Sequence, residues 1–101
     1  MDIKYSLIIQ PKAEEDLDRI YDYIVNQLHN KKAAQDLESK FFEVFEQIEN
    51  FPLASPYVKT EKDYHKAIVE NYLIIYKVFE DKHKCIVFRV LYGRMDYFKF
   101  L

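Results

Sequence analysis

Apolar positions along this chain change period as the sequence advances, and the changes divide it into elements. Tyr5-Ser6-Leu7-Ile8-Ile9 is a short β-branched and aromatic run stopped by Gln10-Pro11, the pattern of a strand. Pro11 suits the first position of a helix, where its missing N–H is not needed. Glu14, Glu15 and Asp16 then place acid in the first turn, where the helix dipole favours it. Ala13, Leu17, Ile20, Ile24 and Leu28 recur at helical spacing, and the pattern predicts a helix from about Lys12 to His29. Asn30 is a natural N-cap for a second helix. Its seam is Ala34, Leu37, Phe41, Val44, Ile48 and Phe51, widened by Phe42 and Phe45, and Pro52 ends it. A link this short makes the two helices an antiparallel hairpin.

Residues 53–64 are the longest irregular segment. Three strand signals follow it: His65 to Glu70, Tyr72 to Phe79 and Cys85 to Leu91, with a turn at Glu70-Asn71 and a polar loop from Glu80 to Lys84. The middle run, Tyr-Leu-Ile-Ile-Tyr-Lys-Val-Phe, is nearly continuous in apolar and aromatic residues, as expected of a central strand covered on both faces. The order β-α-α-β-β-β predicts an α+β fold, a helical hairpin on a small, mostly antiparallel sheet. With 101 residues and no repeat or linker, residues 1–101 form one domain.

Composition narrows the function classes. Cys85 is the only cysteine, so no disulfide forms within the chain, and a reducing cytoplasm is the expected compartment. No signal peptide or membrane span is visible. The net charge is −2, yet residues 1–50 carry 6 basic against 11 acidic side chains and residues 51–101 carry 9 against 6. An acidic whole argues against indiscriminate nucleic-acid binding, while the basic half leaves room for a local anion site. His29, His65 and His83 are too scattered for a zinc site, one glycine cannot build a phosphate loop, and no serine sits in a nucleophile turn. No metal and no cofactor is expected. Cys85 reads as a small core residue.

Positive charge and phenols remain on the sheet half: Tyr64, His65, Lys66, Lys77, Arg89, Tyr92, Arg94 and Tyr97. Such groups can cleave RNA without a metal, by moving a proton and stabilising phosphorane oxygens. They can equally contact a partner or be ordinary strand charge. Gly93, the lone glycine, follows the last strand, and it marks either a positive φ or the close approach of another group.

Several segments together resemble the RelE/ParE toxin superfamily. They are Ala13-Glu14-Glu15-Asp16-Leu17-Asp18-Arg19-Ile20 with Tyr23-Ile24, Phe51-Pro52, Asn71 to Val78, and Val90-Leu91-Tyr92-Gly93-Arg94-Met95-Asp96. The resemblance implies the fold derived above. It also implies a growth-inhibiting toxin of a type II toxin–antitoxin (plasmid stabilisation) module, held inactive in a complex with an antitoxin. Members of one branch cleave mRNA on the ribosome; members of the other inhibit DNA gyrase. For a nuclease, the resemblance assigns Lys66 and Arg94 to phosphate charge and Tyr97 or His65 to proton transfer. Leu73 departs from that branch, which carries arginine there, and Tyr64 stands where a second lysine is expected. The expectation put first is therefore gyrase inhibition, with Arg89, Tyr92, Arg94, Asp96 and Tyr97 contacting target or antitoxin. The alternatives are the ribosome-dependent nuclease and a degenerate relative that binds an antitoxin but has no target.

Overall fold

The computed structural model describes residues 4–54, 57–58 and 64–93. Strands β1 (Ser6–Ile9), β2 (Tyr57–Val58), β3 (Tyr64–Val69), β4 (Tyr72–Phe79) and β5 (Lys84–Tyr92) form one sheet in the order β1-β5-β4-β3-β2. β1 runs parallel to β5, and every other neighbour is antiparallel. Helices α1 (Pro11–Asp22) and α2 (Lys31–Asn50) pack on one face. This is the expected α+β architecture, with β4 inside the sheet. Leu73, Ile74, Ile75 and Tyr76 are all buried, as their unbroken apolar run requires. β2 is a two-residue addition within the segment read as irregular.

The helix-side core joins Ala13, Leu17 and Ile24 to Ala34, Leu37, Phe41, Phe45 and Ile48, over Ala67, Val69, Ile74, Tyr76, Cys85, Val87 and Val90. Cys85 packs there as expected, and burial pushes its thiol up to about 11. The α2 seam holds at Phe45 and differs at Phe42 and Phe51. Phe45 is buried and stacks on Phe41 with centroids 6.2 Å apart, Phe42 is 60% exposed, and Phe51 lies beyond the last turn at 63%. Phe45 follows Phe41 by four positions and shares its face, whereas Phe42, one position on from Phe41, turns away from it. A smaller cluster of Tyr64, Leu73, Ile75 and Leu91, with Phe88 against it, lies on the other face of the sheet.

The first helix does not reach His29 as an α-helix. From Tyr23 to Gln27 it continues as π-helix, with the Leu28 N–H donating to the Tyr23 carbonyl at 3.2 Å. The wider turn keeps Ile24 in the core and leaves Tyr23 55% exposed. His29 then takes a left-handed conformation (φ 51), and Asn30 caps α2 by accepting the Ala33 N–H at 3.0 Å. None of the described helices is long and apolar enough to cross a membrane.

Gly93 has no positive φ; close approach explains it. Its N–H donates to the Asn71 carbonyl at 2.6 Å, and a Cβ there would lie 3.1 Å from that same oxygen. The oxygen belongs to the Glu70-Asn71 turn, where Glu70 already holds φ 53, so it has little room to yield. Gly93→Ala is expected to cost about 1–3 kcal/mol by crowding this turn. Urea unfolding of the purified variant measures it, and an unchanged midpoint would contradict the close-approach account.

Candidate functional site

β1 ends when the chain turns at Gln10-Pro11 into α1, so its pairing with β5 stops at Ile9 opposite Val87. β5 runs on for five more residues, and its register against β4 shifts there. Ile75 faces Arg89 while Tyr76 faces Val87, so Phe88 is the extra residue of a β-bulge. Beyond the end of β1, the backbone of β5 needs an acceptor, and Asp16 of α1 supplies it. Its Oδ2 accepts the Val90 N–H at 3.0 Å and Arg89 Nε at 2.8 Å. Its Oδ1 accepts Arg89 Nη2 at 2.9 Å and Arg19 Nη2 at 2.8 Å.

Asp16 is 4% exposed. Burial alone would raise its carboxyl. The Arg89 hydrogen bonds, the Val90 N–H and the charges of Arg89 and Arg19 outweigh that and hold it below the usual carboxylate range. The hydrogen bond to Asp16 likewise raises Arg89. Arg89, one of the residues expected at a target or antitoxin contact, clamps α1 to β5 here, with its side chain only 15% exposed. Asp16 was read as a first-turn acid favoured by the helix dipole. The available signal was its place between Ala13 and Leu17, on the apolar face of the helix.

A groove of about 900 Å³ opens beside this clamp, between the end of the first helix and the end of the sheet. Arg19, Ile20 and Tyr23 form one wall, and Asn71, Tyr72, Val90, Leu91 and Tyr92 form the other. The rings of Tyr72 and Tyr92 meet edge-on at 5.9 Å. Burial raises the Tyr72 phenol, and the neighbouring Tyr92 and Tyr23 add to the shift. Tyr92, expected at a contact surface, is 38% exposed here.

The remaining expected residues are divided between the two faces of the sheet. His65 is 2% exposed and stacks on the Tyr76 ring at 5.3 Å, in the helix-side core, where the Tyr76 hydroxyl donates to the Pro52 carbonyl at 2.8 Å. Lys66, the next residue of β3, falls on the opposite face by strand alternation and is half-buried. Its face carries the Tyr64, Leu73, Ile75 and Leu91 cluster, with the Lys77 ammonium 5.0 Å over the Tyr64 ring. Arg94, Asp96 and Tyr97 lie outside the described residues. Among the described residues, no three His, Cys, Asp or Glu side chains come together as they would to hold a metal ion.

A family model described as the ParE toxin of the parDE type II toxin–antitoxin system matches residues 7–97. The fold is similar to that of a chain of the chromosomal ParDE toxin–antitoxin system from P. aeruginosa, with a TM-score of 0.72 at 20% identity over 88% of this chain and 96% of that one. It is also similar to a chain of the archaeal RelE–RelB complex from Pyrococcus horikoshii, with a TM-score of 0.67 at 15% identity over 90% and 97%. The isolated E. coli RelE toxin aligns with a TM-score of 0.58 at 17% identity over 94% and 92%. No curated protein matches the sequence. At these identities the structural likenesses establish the fold.

Proposed function

Because the chain belongs to the ParE toxin family of type II toxin–antitoxin systems, we propose that it arrests growth by inhibiting DNA gyrase and that a cognate antitoxin neutralises it. One observation carries the choice of target. The sheet face bearing Lys66 is mainly apolar, with Leu73 buried among Tyr64, Ile75 and Leu91 where the nuclease branch would place arginine. Cleavage by 2′-hydroxyl attack needs positive charge beside the phosphate and an accessible proton carrier. His65, one of the two groups assigned that transfer, is instead enclosed against Tyr76 on the other face. The acidic net charge of −2 also weakens long-range attraction to ribosomal RNA. In this reading Arg94, Asp96 and Tyr97 contact the target protein.

The reading makes Lys66 dispensable. Lys66→Ala, induced alone in a bacterial host, is expected to arrest growth as the parent chain does. A nuclease that relied on Lys66 for phosphate charge would lose about a hundredfold or more in cleavage. Loss of both growth arrest and transcript cleavage in Lys66→Ala, with the fold intact by circular dichroism, would transfer the assignment to the ribosome-dependent nuclease. A well-folded parent chain that causes no arrest would leave only the degenerate, antitoxin-binding relative.

A further inference from the structure

The last strand leaves the sheet under more restraint than a strand end ordinarily carries. β5 has β4 on one side, but its pairing with β1 stops at Val87, so among the described residues no strand covers its outer side from Phe88 onward. A strand end in that position tends to fray. Here it is held from both sides. On the outer side the buried Asp16 carboxylate accepts the Val90 N–H at 3.0 Å and fastens Arg89 through two hydrogen bonds. On the inner side the Gly93 N–H donates to the Asn71 carbonyl at 2.6 Å, just past the last paired residues, Tyr72 and Tyr92.

Each hold uses a costly device. Apolar side chains of similar volume often match or exceed a buried ion pair in stability, so what the pair adds is a defined geometry. The Glu70-Asn71 turn places Glu70 at φ 53, a region that residues other than glycine seldom enter. Position 93 must lack a side chain, because a Cβ there would stand 3.1 Å from the Asn71 oxygen and force a shift of a few tenths of an ångström. Lys40 of α2 bonds Glu70 and ties that turn to the helical layer. Buried charge, backbone strain and close approach thus meet around one point, the exit of the chain at Gly93. Such features gather where a geometry is used.

From Gly93 the chain continues into Arg94, Asp96 and Tyr97. We propose, resting on the function proposed above, that Asp16 and Gly93 are positioning residues that fix the direction in which β5 delivers Arg94, Asp96 and Tyr97 to the target protein. The physical reason is preorganisation. A segment held in its binding direction loses less freedom when it docks, and a small misplacement upstream of a contact is costly. Arg94 directly follows the lock, so a rotation at Gly93 passes straight into the contact.

The test measures inhibition of purified gyrase by the purified full chain, read as the concentration that halves supercoiling of a relaxed plasmid. Asp16→Leu with Arg89→Met replaces the clamp by apolar side chains, which retains stability but leaves the Val90 N–H without its acceptor. This double variant and Gly93→Ala are each expected to raise that concentration about tenfold or more, with the fold intact by circular dichroism. Ile48→Ala is the control for lost stability. Ile48 is buried in α2 next to Glu49, whose carbonyl accepts the Tyr5 N–H at the other end of the sheet. Its truncation should lower the urea midpoint further than Gly93→Ala does, yet leave inhibition within about twofold of the parent. Parent-level inhibition by the exit variants, or an equal loss in the Ile48 control, would overturn the positioning role and leave the gyrase reading standing. If the double variant does not fold, Gly93→Ala decides alone. A parent chain that leaves supercoiling untouched would overturn the gyrase reading, and this role with it.

Discussion

Asp16→Ala is expected to unfold at much lower denaturant than the parent chain, with a loss of about 3–5 kcal/mol. The substitution removes the acceptor for the Val90 N–H and both hydrogen bonds from Arg89, and it strands a guanidinium whose side chain is 15% exposed. Much of the loss comes from that stranded charge rather than from the pair itself. Replacing both partners together, as Asp16→Leu with Arg89→Met, should accordingly recover a large part of the stability. The pair also sets an acid limit. In the folded state the Asp16 carboxyl is held below its ordinary value of 3.8, so the unfolded chain binds its proton more readily. The stabilisation is therefore complete above that ordinary value and is lost as pH falls through the lower, folded value. Asp16→Ala should show a flatter decline of stability across that acid range. Equilibrium urea unfolding of parent and variants at several pH values measures both effects, and a loss below about 1 kcal/mol would contradict a buried, fully bonded clamp.

Phe41→Ala is expected to cost about 3–5 kcal/mol, whereas Phe42→Ala stays within about 0.5 kcal/mol. Phe41 has no exposed surface and joins three elements. Its ring lies 6.2 Å from Tyr21 of α1, 6.2 Å from Phe45 one turn along α2 and 5.9 Å from Tyr72 of β4. Truncation opens a cavity lined by rings that cannot all move in, because Tyr72 is held in the sheet and Tyr21 on the helix. Phe42 is 60% exposed, and its removal uncovers little. Thermal unfolding of the two single variants makes the comparison, and similar melting temperatures would contradict the packing described.

That pair of neighbours shows what the sequence carried. Element type came from local signals: the apolar run of β4, the Pro11 start of α1, the Asn30 cap, and the Glu70-Asn71 turn. Each depends on residues within one or two turns of chain. Phe41 was legible as seam for the same reason, but choosing among Phe42, Val44, Phe45 and Phe51 needed the curvature of the sheet beneath them. The π turn at Tyr23 was illegible because a wider hydrogen-bond ring leaves the apolar spacing almost unchanged. The candidate site was less legible still. Asp16 and Arg89 are separated by 73 positions, and what unites them is the early end of β1 and the bulge at Phe88. Neither is written in the residues of the clamp itself. His65 is the opposite case. Strand alternation alone puts it on the face away from Lys66, and placing Lys66 for phosphate charge and His65 for proton transfer in one nuclease site overlooked that period.

Gyrase inhibition, the proposed mode of growth arrest, is read at the target itself. The chain is induced without its antitoxin in a bacterial host. Gyrase–DNA covalent complexes and the 5′ ends of mRNA on translating ribosomes are then followed from the same cultures. Gyrase inhibition would give covalent gyrase complexes and an SOS response with transcripts intact. Codon-phased mRNA cleavage without gyrase complexes, abolished by Arg94→Ala or Tyr97→Phe, would contradict it.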